Sequence, residues 1–371
     1  MDAALIRTRL KALREHHDLS QADMAQQLGL KDRQTLSNIE LGDRKITAQE
    51  LLSAAQIFGM SVGHLTDPLC LIGEGQFSWR QKNTVPAELD AFENKAGQWI
   101  ATYRYLSRLK GEPVNSVLRR VALNEKSTFE DAQAEGEAIA QALELGEVPA
   151  LNLASVVEDQ LDTLVLHVDA VKGVSGAACQ LDQLNTILIN RHEHAARRAF
   201  DMAHELFHLL TWDRMPPERL DGTSKTDTTK KRIEQLAENF AAGLLMPSET
   251  IAQLVAKTPL PDEQGFPAWL AKAATTLQVS PTALLWRMVN LHLVRKAAAD
   301  RIVNGKAFPK QPSSKAAMPP RMSLRFVQTL GWGIAQGHIS VRRAASTLHI
   351  TLDDMAELFK EHNIAKMIKV I

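Results

Sequence analysis

His204-Glu-Leu-Phe-His208 lies inside an apolar run, and no other feature constrains the fold of this chain as much. Ala203, Leu206, Phe207, Leu209 and Leu210 surround it, so a helix through this stretch is largely buried and carries two imidazoles and a carboxylate inside. On a helix, positions i and i+4 stack on one face. Both histidines therefore reach one ion while Glu205 sits beside it. Buried polar groups without partners are costly, and a shared metal ion answers that cost. A catalytic zinc takes three protein ligands and keeps an open position for water. Glu205 is then placed to take a proton from that water and pass it to a leaving amine.

The third ligand has to come from elsewhere. Glu234-Gln-Leu-Ala-Glu238 offers two carboxylates one turn apart, and it follows His208 after a polar stretch, 215–231, long enough to loop back. The spacing predicts Glu234 as the ligand and Glu238 as the outer group that orients a ligating histidine, with the reverse assignment open. A solvated face shared with Lys230 and Lys231 is the plainer alternative. His192 and His194 read as surface residues, although His194 could approach the site as a donor. Arg197 and Arg198 read as surface too, and the two tyrosines, Tyr103 and Tyr105, lie far away in sequence.

At 371 residues the chain exceeds one typical domain. Arg7, Arg9 and Lys11 break up the start, so no secretory leader is readable, and no run approaches the roughly 18–20 apolar residues of a membrane span. Two distant cysteines, Cys70 and Cys179, suggest no disulfide framework, which points to a reducing cytoplasm and no membrane partner. The expected fold class is mainly α with a small β-sheet (α+β). Aliphatic runs at 164–168 and 186–189 read as strands, with a Gly- and Ser-containing stretch, 173–176, between them. Helices are expected over 86–145, about 193–211, 228–246, 266–276 and 280–299.

Residues 1–68 read as five short helices. Ser20, Asp32 and Thr47 stand where caps belong, and Gly29, Gly42 and Gly59 where helices stop. Leu10, Leu13, Met24, Ala25, Leu28, Leu36 and Ile39 can share one small core. The helix after the Gly29-Leu-Lys31 turn presents Arg33, Gln34, Ser37 and Asn38. Gln and Asn pair with adenine in the major groove, while Ser20, Gln21 and Arg33 can hold phosphates. Formal net charge is zero. The segment itself carries eight Lys/Arg against nine Asp/Glu, counted over 1–68, so a dimer is expected for useful affinity.

Two resemblances follow from these motifs. Leu19-Ser-Gln-Ala-Asp-Met-Ala-Gln-Gln-Leu-Gly29, Leu36-Ser-Asn-Ile-Glu-Leu-Gly42 and the trailing Ala48–Phe58 helix resemble the Cro/repressor-like (XRE) helix-turn-helix family over about 60 residues. One departure is an extra residue in the turn at Leu30–Arg33, which shifts the base-reading positions by up to one. The stretches 196–210 and Glu234-Gln-Leu-Ala-Glu-Asn-Phe-Ala-Ala-Gly-Leu-Leu-Met-Pro247 resemble the ImmA/IrrE family of zinc metallopeptidases, as do Val174–Ala177 and Ile187–Asn190 upstream. That resemblance covers roughly 150–300. It implies a gluzincin-like domain holding zinc by two histidines and a glutamate, and regulated cleavage of a repressor-type protein. Glu238 departs from it, since Asn or Asp is usual there.

The chain thus divides into a helix-turn-helix domain (1–68), a helical connector (69–150), a metallopeptidase-like domain (151–300), a Pro/Ser/Lys-rich linker (301–321) and a helical, helix-turn-helix-like tail (322–371). Ser340 and Thr351 are suitable caps in the tail, and Arg342 and Arg343 could touch phosphate or a carboxylate. The expected function is a cytoplasmic, homodimeric regulator that binds operator DNA and cleaves a repressor in a stress, prophage or mobile-element response. The alternatives are a transcription factor that senses a signal through the same domain without proteolysis, and an antitoxin-like partner.

Overall fold

The N-terminal core is built from residues that the capping pattern holds in register. In the computed structural model of the chain, which describes residues 2–112, 121–181, 184–219, 228–305 and 318–364, five helices come first. They are α1 (Ala3–His16), α2 (Gln21–Gln27), α3 (Arg33–Leu41), α4 (Ala48–Ile57) and α5 (Val62–Thr66). Ser20, Asp32 and Thr47 each accept a backbone N–H at the start of α2, α3 and α4. Gly42 closes α3 at φ 93°, a conformation that costs an L side chain dearly. Leu10, Met24, Leu36, Ile39, Leu51 and Leu65 fill the shared core.

Arg9 is fully buried in this core. Its guanidinium donates to the carbonyls of Leu65 and Cys70 and pairs with Glu74, so charge and donors are satisfied where the chain leaves α5. The same unit contains α6 (Pro86–Lys110), α15 (Leu324–Ala335), α16 (Val341–Leu348) and α17 (Leu352–Glu361). Gly333 of α15 lies against Leu106 of α6, and Tyr103 stacks on Phe326. Ser340 and Thr351 cap α16 and α17 as the sequence suggested.

The second unit comprises residues 77–85 and 115–325. It contains β1 (Gln76–Gln81), α7 (Phe129–Ala142), α8 (Pro149–Gln160), β2 (Leu164–Val168), β3 (Val174–Gln180), β4 (Asn185–Asn190) and α9 (Ala195–Thr211). After them come α10 (Thr228–Leu245), α11 (Ser248–Lys257), α12 (Phe266–Thr276), α13 (Pro281–Asn290) and α14 (Lys296–Asn304). The stretch 69–150 contributes to both units, α6 to the first and β1 and α7 to the second.

The four strands lie in the order β1-β3-β4-β2. β4 runs parallel to β2 and antiparallel to β3, with Ile187 opposite both Val165 and Ala178. Almost every residue of β2, β3 and β4 is buried, which is why these strands read as aliphatic runs. β1 was not anticipated, and β3 was anticipated only through the resemblance of Val174–Ala177 to the family's strand region. β3 has small residues where a strand signal wants branched ones, and the 173–176 stretch that read as a break is largely its first turn of strand.

Two further departures have local causes. The expected helix over 280–299 is two helices, α13 and α14, because His292 adopts φ 58° and the chain turns between them. Of the expected linker 301–321, α14 takes the start, and residues 306–317 lie outside the described residues.

Candidate functional site

α9 is buried on every side from Asp201 to Thr211, so its polar groups face protein. Its apolar face packs on β3 and β4, and its other flank meets α10. α10 in turn is clamped to α7 at unusually close range. A methyl group at Gly243 would come within 2.2 Å of the Gln133 carbonyl oxygen, and one at Gly136 within 2.3 Å of that of Phe240. Gln133 also donates to Asn239, and the buried Arg287 of α13 donates to Gln133, Glu137 and the Met246 carbonyl. These contacts fix the height of α10 along α9.

That height brings Glu234 to the histidines. His204 Nε2 and His208 Nε2 lie 3.1 Å apart. Glu234 Oε2 is 3.2 Å from the first and its Oε1 is 3.5 Å from the second. Tetrahedral zinc with arms of about 2.0–2.1 Å puts its ligand atoms roughly 3.3 Å apart, so the three side chains match that cradle. They form a group able to hold one metal ion. His204, Glu205 and His208 are each 0% exposed, whereas the Glu234 side chain is 27% exposed. Solvent therefore meets the group from the α10 side.

Glu205 lies beside β3. A methyl group at Gly176 would sit 3.6 Å from its Cγ. One turn before His204, Asp201 is fully buried and bridges Arg80 of β1, at 3.2 Å, and Arg197, at 3.0 Å. Burial pushes its carboxyl up to about 6, against the pull of both guanidinium groups. Sequence reading missed this bridge, because Arg80 lies more than a hundred residues upstream in a strand with no clear alternation.

Glu238 is not part of the cluster. It is exposed one turn along α10 from Glu234, on the same side of the helix but outside the metal group, while α10 packs on its neighbours through Leu236, Ala237, Phe240 and Ala241. No hydrogen bond joins it to either histidine among the described residues. His192 pairs with Asp169, and His194 is exposed at the start of α9. Arg197 is exposed on the helix surface, as expected, and donates to Asp201.

The residues expected to read DNA lie together on α2 and α3. Arg33 and Gln34 are exposed, and Gln21, Ser37 and Asn38 are half-buried. Arg33 donates to Gln21, which donates to Glu40, itself paired with Arg14. Gln34 donates to Asn38 at 2.9 Å. Gln21 is therefore held between two charged groups, while the Gln34–Asn38 pair presents a preformed amide edge to solvent.

The tail contrasts with this surface. Arg343 pairs with Asp67, and α17 exposes Asp353, Glu357 and Glu361, an acidic face unsuited to phosphate.

Comparison with known families agrees with both parts. Residues 158–288 match a peptidase family model described as the IrrE N-terminal-like domain, and residues 10–65 match a helix-turn-helix model. The chain joins an XRE-type helix-turn-helix domain to an IrrE-like peptidase-family domain. No curated protein matches it. The IrrE-like match begins in α8 and ends in α13, so it includes three of the four strands and both helices of the metal group. β1 and α7 lie outside it. No helix among the described residues is long and apolar enough to cross a membrane.

Proposed function

We propose that this chain is a DNA-binding regulator whose IrrE-like domain is a zinc-dependent peptidase acting on a repressor-type protein. The observation that carries the reading is the convergence of His204, His208 and Glu234 on one point, with Glu205 buried beside it. In this reading His204, His208 and Glu234 hold the ion. Zinc bound there supplies an acidified water and a Lewis acid for a scissile carbonyl.

Glu205 is the general base. Its carboxylate sits in a dry site between α9 and β3, where a proton it accepts can be handed on to a leaving amine. Burial keeps bulk water from competing for that proton. On the DNA side, Gln34 and Asn38 read bases, with Ser37 beside them, and Arg33 and Gln21 contact phosphate. A homodimer places two α3 helices on an operator. The repressor cleaved, by this account, belongs to a stress, prophage or mobile-element response.

The test measures zinc content and cleavage of repressor-type proteins for the wild type and for Glu205→Gln. The expected result is one zinc per chain in both, with cleavage in the wild type alone. Zinc at full occupancy with no cleavage under any inducing condition overturns the peptidase reading. It would favour a second one, in which the domain senses a signal without cutting. The full burial of His204, Glu205 and His208 speaks for that alternative, because it leaves a substrate little access.

A further inference from the structure

A peptidase must hold its substrate extended across the reacting groups, and extended chains are most readily held by pairing with a sheet edge. The strand beside Glu205 is β3, through Gly176. One side of β3 is taken by β4 along Gly176–Gln180. The other side, where a substrate backbone would add, is taken by β1. At the opposite end of the sheet, Met322 N donates to the carbonyl of His167 on β2, so that side is engaged as well.

β1 is held in place by more than its ladder. Arg80 pairs with Asp201 on α9, one turn from His204, and its guanidinium lies 5.8 Å from the centre of the Phe200 ring. Trp79, on the opposite face of the strand, is fully buried, and its backbone N–H donates to the carbonyl of Arg219 at 2.8 Å. The backbone N–H of Lys82 donates to the carbonyl of Gly173 at 2.8 Å, and Gly173 sits at φ 89° so near Lys82 that a methyl there would lie 2.4 Å from the Lys82 carbonyl oxygen. Each contact ties a segment from outside residues 158–288 onto the edge next to Glu205.

We propose that β1 is a built-in inhibitory strand, occupying the edge of β3 on which an extended substrate would pair, and that the IrrE-like domain acts only once β1 is displaced. The inference rests on the peptidase reading of the same site. It also defines the chemistry of the displacing segment. Removing Arg80 leaves Asp201 buried with Arg197 alone, so a segment that carries an arginine or lysine next to a bulky aromatic replaces both what Arg80 and what Trp79 supply. Such a segment is an extended peptide resembling Phe77-Ser-Trp-Arg80 itself.

The experiment uses the zinc-loaded full chain and a fluorescent peptide with the sequence of residues 75–83. Binding is measured by anisotropy for the wild type, Arg80→Ala and Arg80→Lys, and amide exchange is followed in β1 and β3. The expected result is at least tenfold tighter peptide binding by Arg80→Ala than by the wild type, with Arg80→Lys close to the wild type. A peptide with alanine in place of its arginine binds more weakly. In the bound state the amides of Phe77–Gln81 lose protection while those of Val174–Gln180 keep it. Should Arg80→Ala not fold, as judged by circular dichroism, excess peptide with the wild type gives the same exchange readout. Absence of binding in every variant, or binding with β1 still protected, overturns the proposal. Peptide exchange without cleavage of any repressor would instead overturn the peptidase reading and leave the strand exchange standing. Cleavage without peptide exchange would do the reverse.

Discussion

α3 carries residues proposed to read DNA and α9 residues proposed to hold zinc, and the two helices treat those residues in opposite ways. α3 exposes Arg33 and Gln34 and buries only Leu36 and Ile39, so its polar groups meet solvent until a large partner arrives. α9 buries everything from Asp201 onward, including two imidazoles and two carboxylates. A groove in DNA is wide and comes to the helix, so exposed side chains suffice. A metal ion is small and has to be enclosed by groups held within fractions of an ångström, which only packing on several sides provides. The comparison predicts that single substitutions around α9 have large effects and that those on α3 have small ones.

The largest effect is expected at the metal group. His208→Ala removes one of the three proposed ligands, and it should weaken zinc binding by more than the hundredfold or so that loss of a supporting group alone can cost. Competition with a chelator under equilibrium conditions measures this. A loss of tenfold or less would show that the three side chains are not the ligand set.

Next come the contacts that hold α10 against α7. Gly243→Ala puts a methyl where the Gln133 carbonyl already lies, so the helices must separate, at about 3 kcal/mol. Urea unfolding checks the magnitude. A parallel fall in zinc affinity would show that this spacing positions Glu234, whereas a stability loss with unchanged zinc affinity would confine the glycine to packing.

Much of this contrast was legible in the sequence. The six caps and stops read in the first domain depend on local chemistry, and Ser20, Asp32, Thr47, Gly29, Gly42 and Gly59 all behave as local rules require. The i, i+4 spacing of His204 and His208 is local as well. β1, the Arg80–Asp201 bridge and the close approach of Gly136 and Gly243 join residues about a hundred positions apart, and no periodicity encodes them. Glu238 shows the limit of spacing arguments: it shares a helix face with Glu234, yet one turn further along α10 it is exposed and outside the metal group.

Burial in the second unit should also appear in its response to pH. Desolvation raises Glu158, beneath β2, from its ordinary 4.5 to about 7, and lowers His167, on β2, from 6.5 to about 4. The folded state holds the Glu158 proton more tightly than the unfolded chain does. Its contribution is therefore greatest below pH 4.5 and falls by roughly 3 kcal/mol as the pH rises to 7. His167 works in the opposite sense, since the unfolded chain takes up a proton below pH 6.5 that the folded state resists. Stability is lost on acidification toward 4, by a similar amount. The two trends oppose one another in the wild type, where Asp201, raised to about 6, adds to that of Glu158. Relative to the wild type, Glu158→Gln should therefore lose about 2–3 kcal/mol between pH 7 and 4.5, and His167→Asn should gain as much, read from urea midpoints across that range. Profiles parallel to that of the wild type for both variants would mean that neither group is desolvated as strongly as its burial implies.

The smallest effect belongs to α3. Gln34 and Asn38 hold one another through a single hydrogen bond at 2.9 Å, near the helix surface, and no core residue depends on them. Gln34→Ala with Asn38→Ala should therefore leave the unfolding midpoint within about 0.5 kcal/mol of the wild type. Operator binding should weaken by about 1–3 kcal/mol, roughly five- to 150-fold, with the dependence on salt unchanged if neither side chain contacts phosphate. Arg33→Ala serves as the counterpart. On the proposed phosphate role of Arg33, which donates to Gln21, it should lower affinity for all sequences alike and make binding less sensitive to salt. If instead the double variant reduced the salt dependence and Arg33→Ala altered sequence preference, the extra residue in the turn before Arg33 would have rotated α3. The base-reading edge would then have to be reassigned by one position.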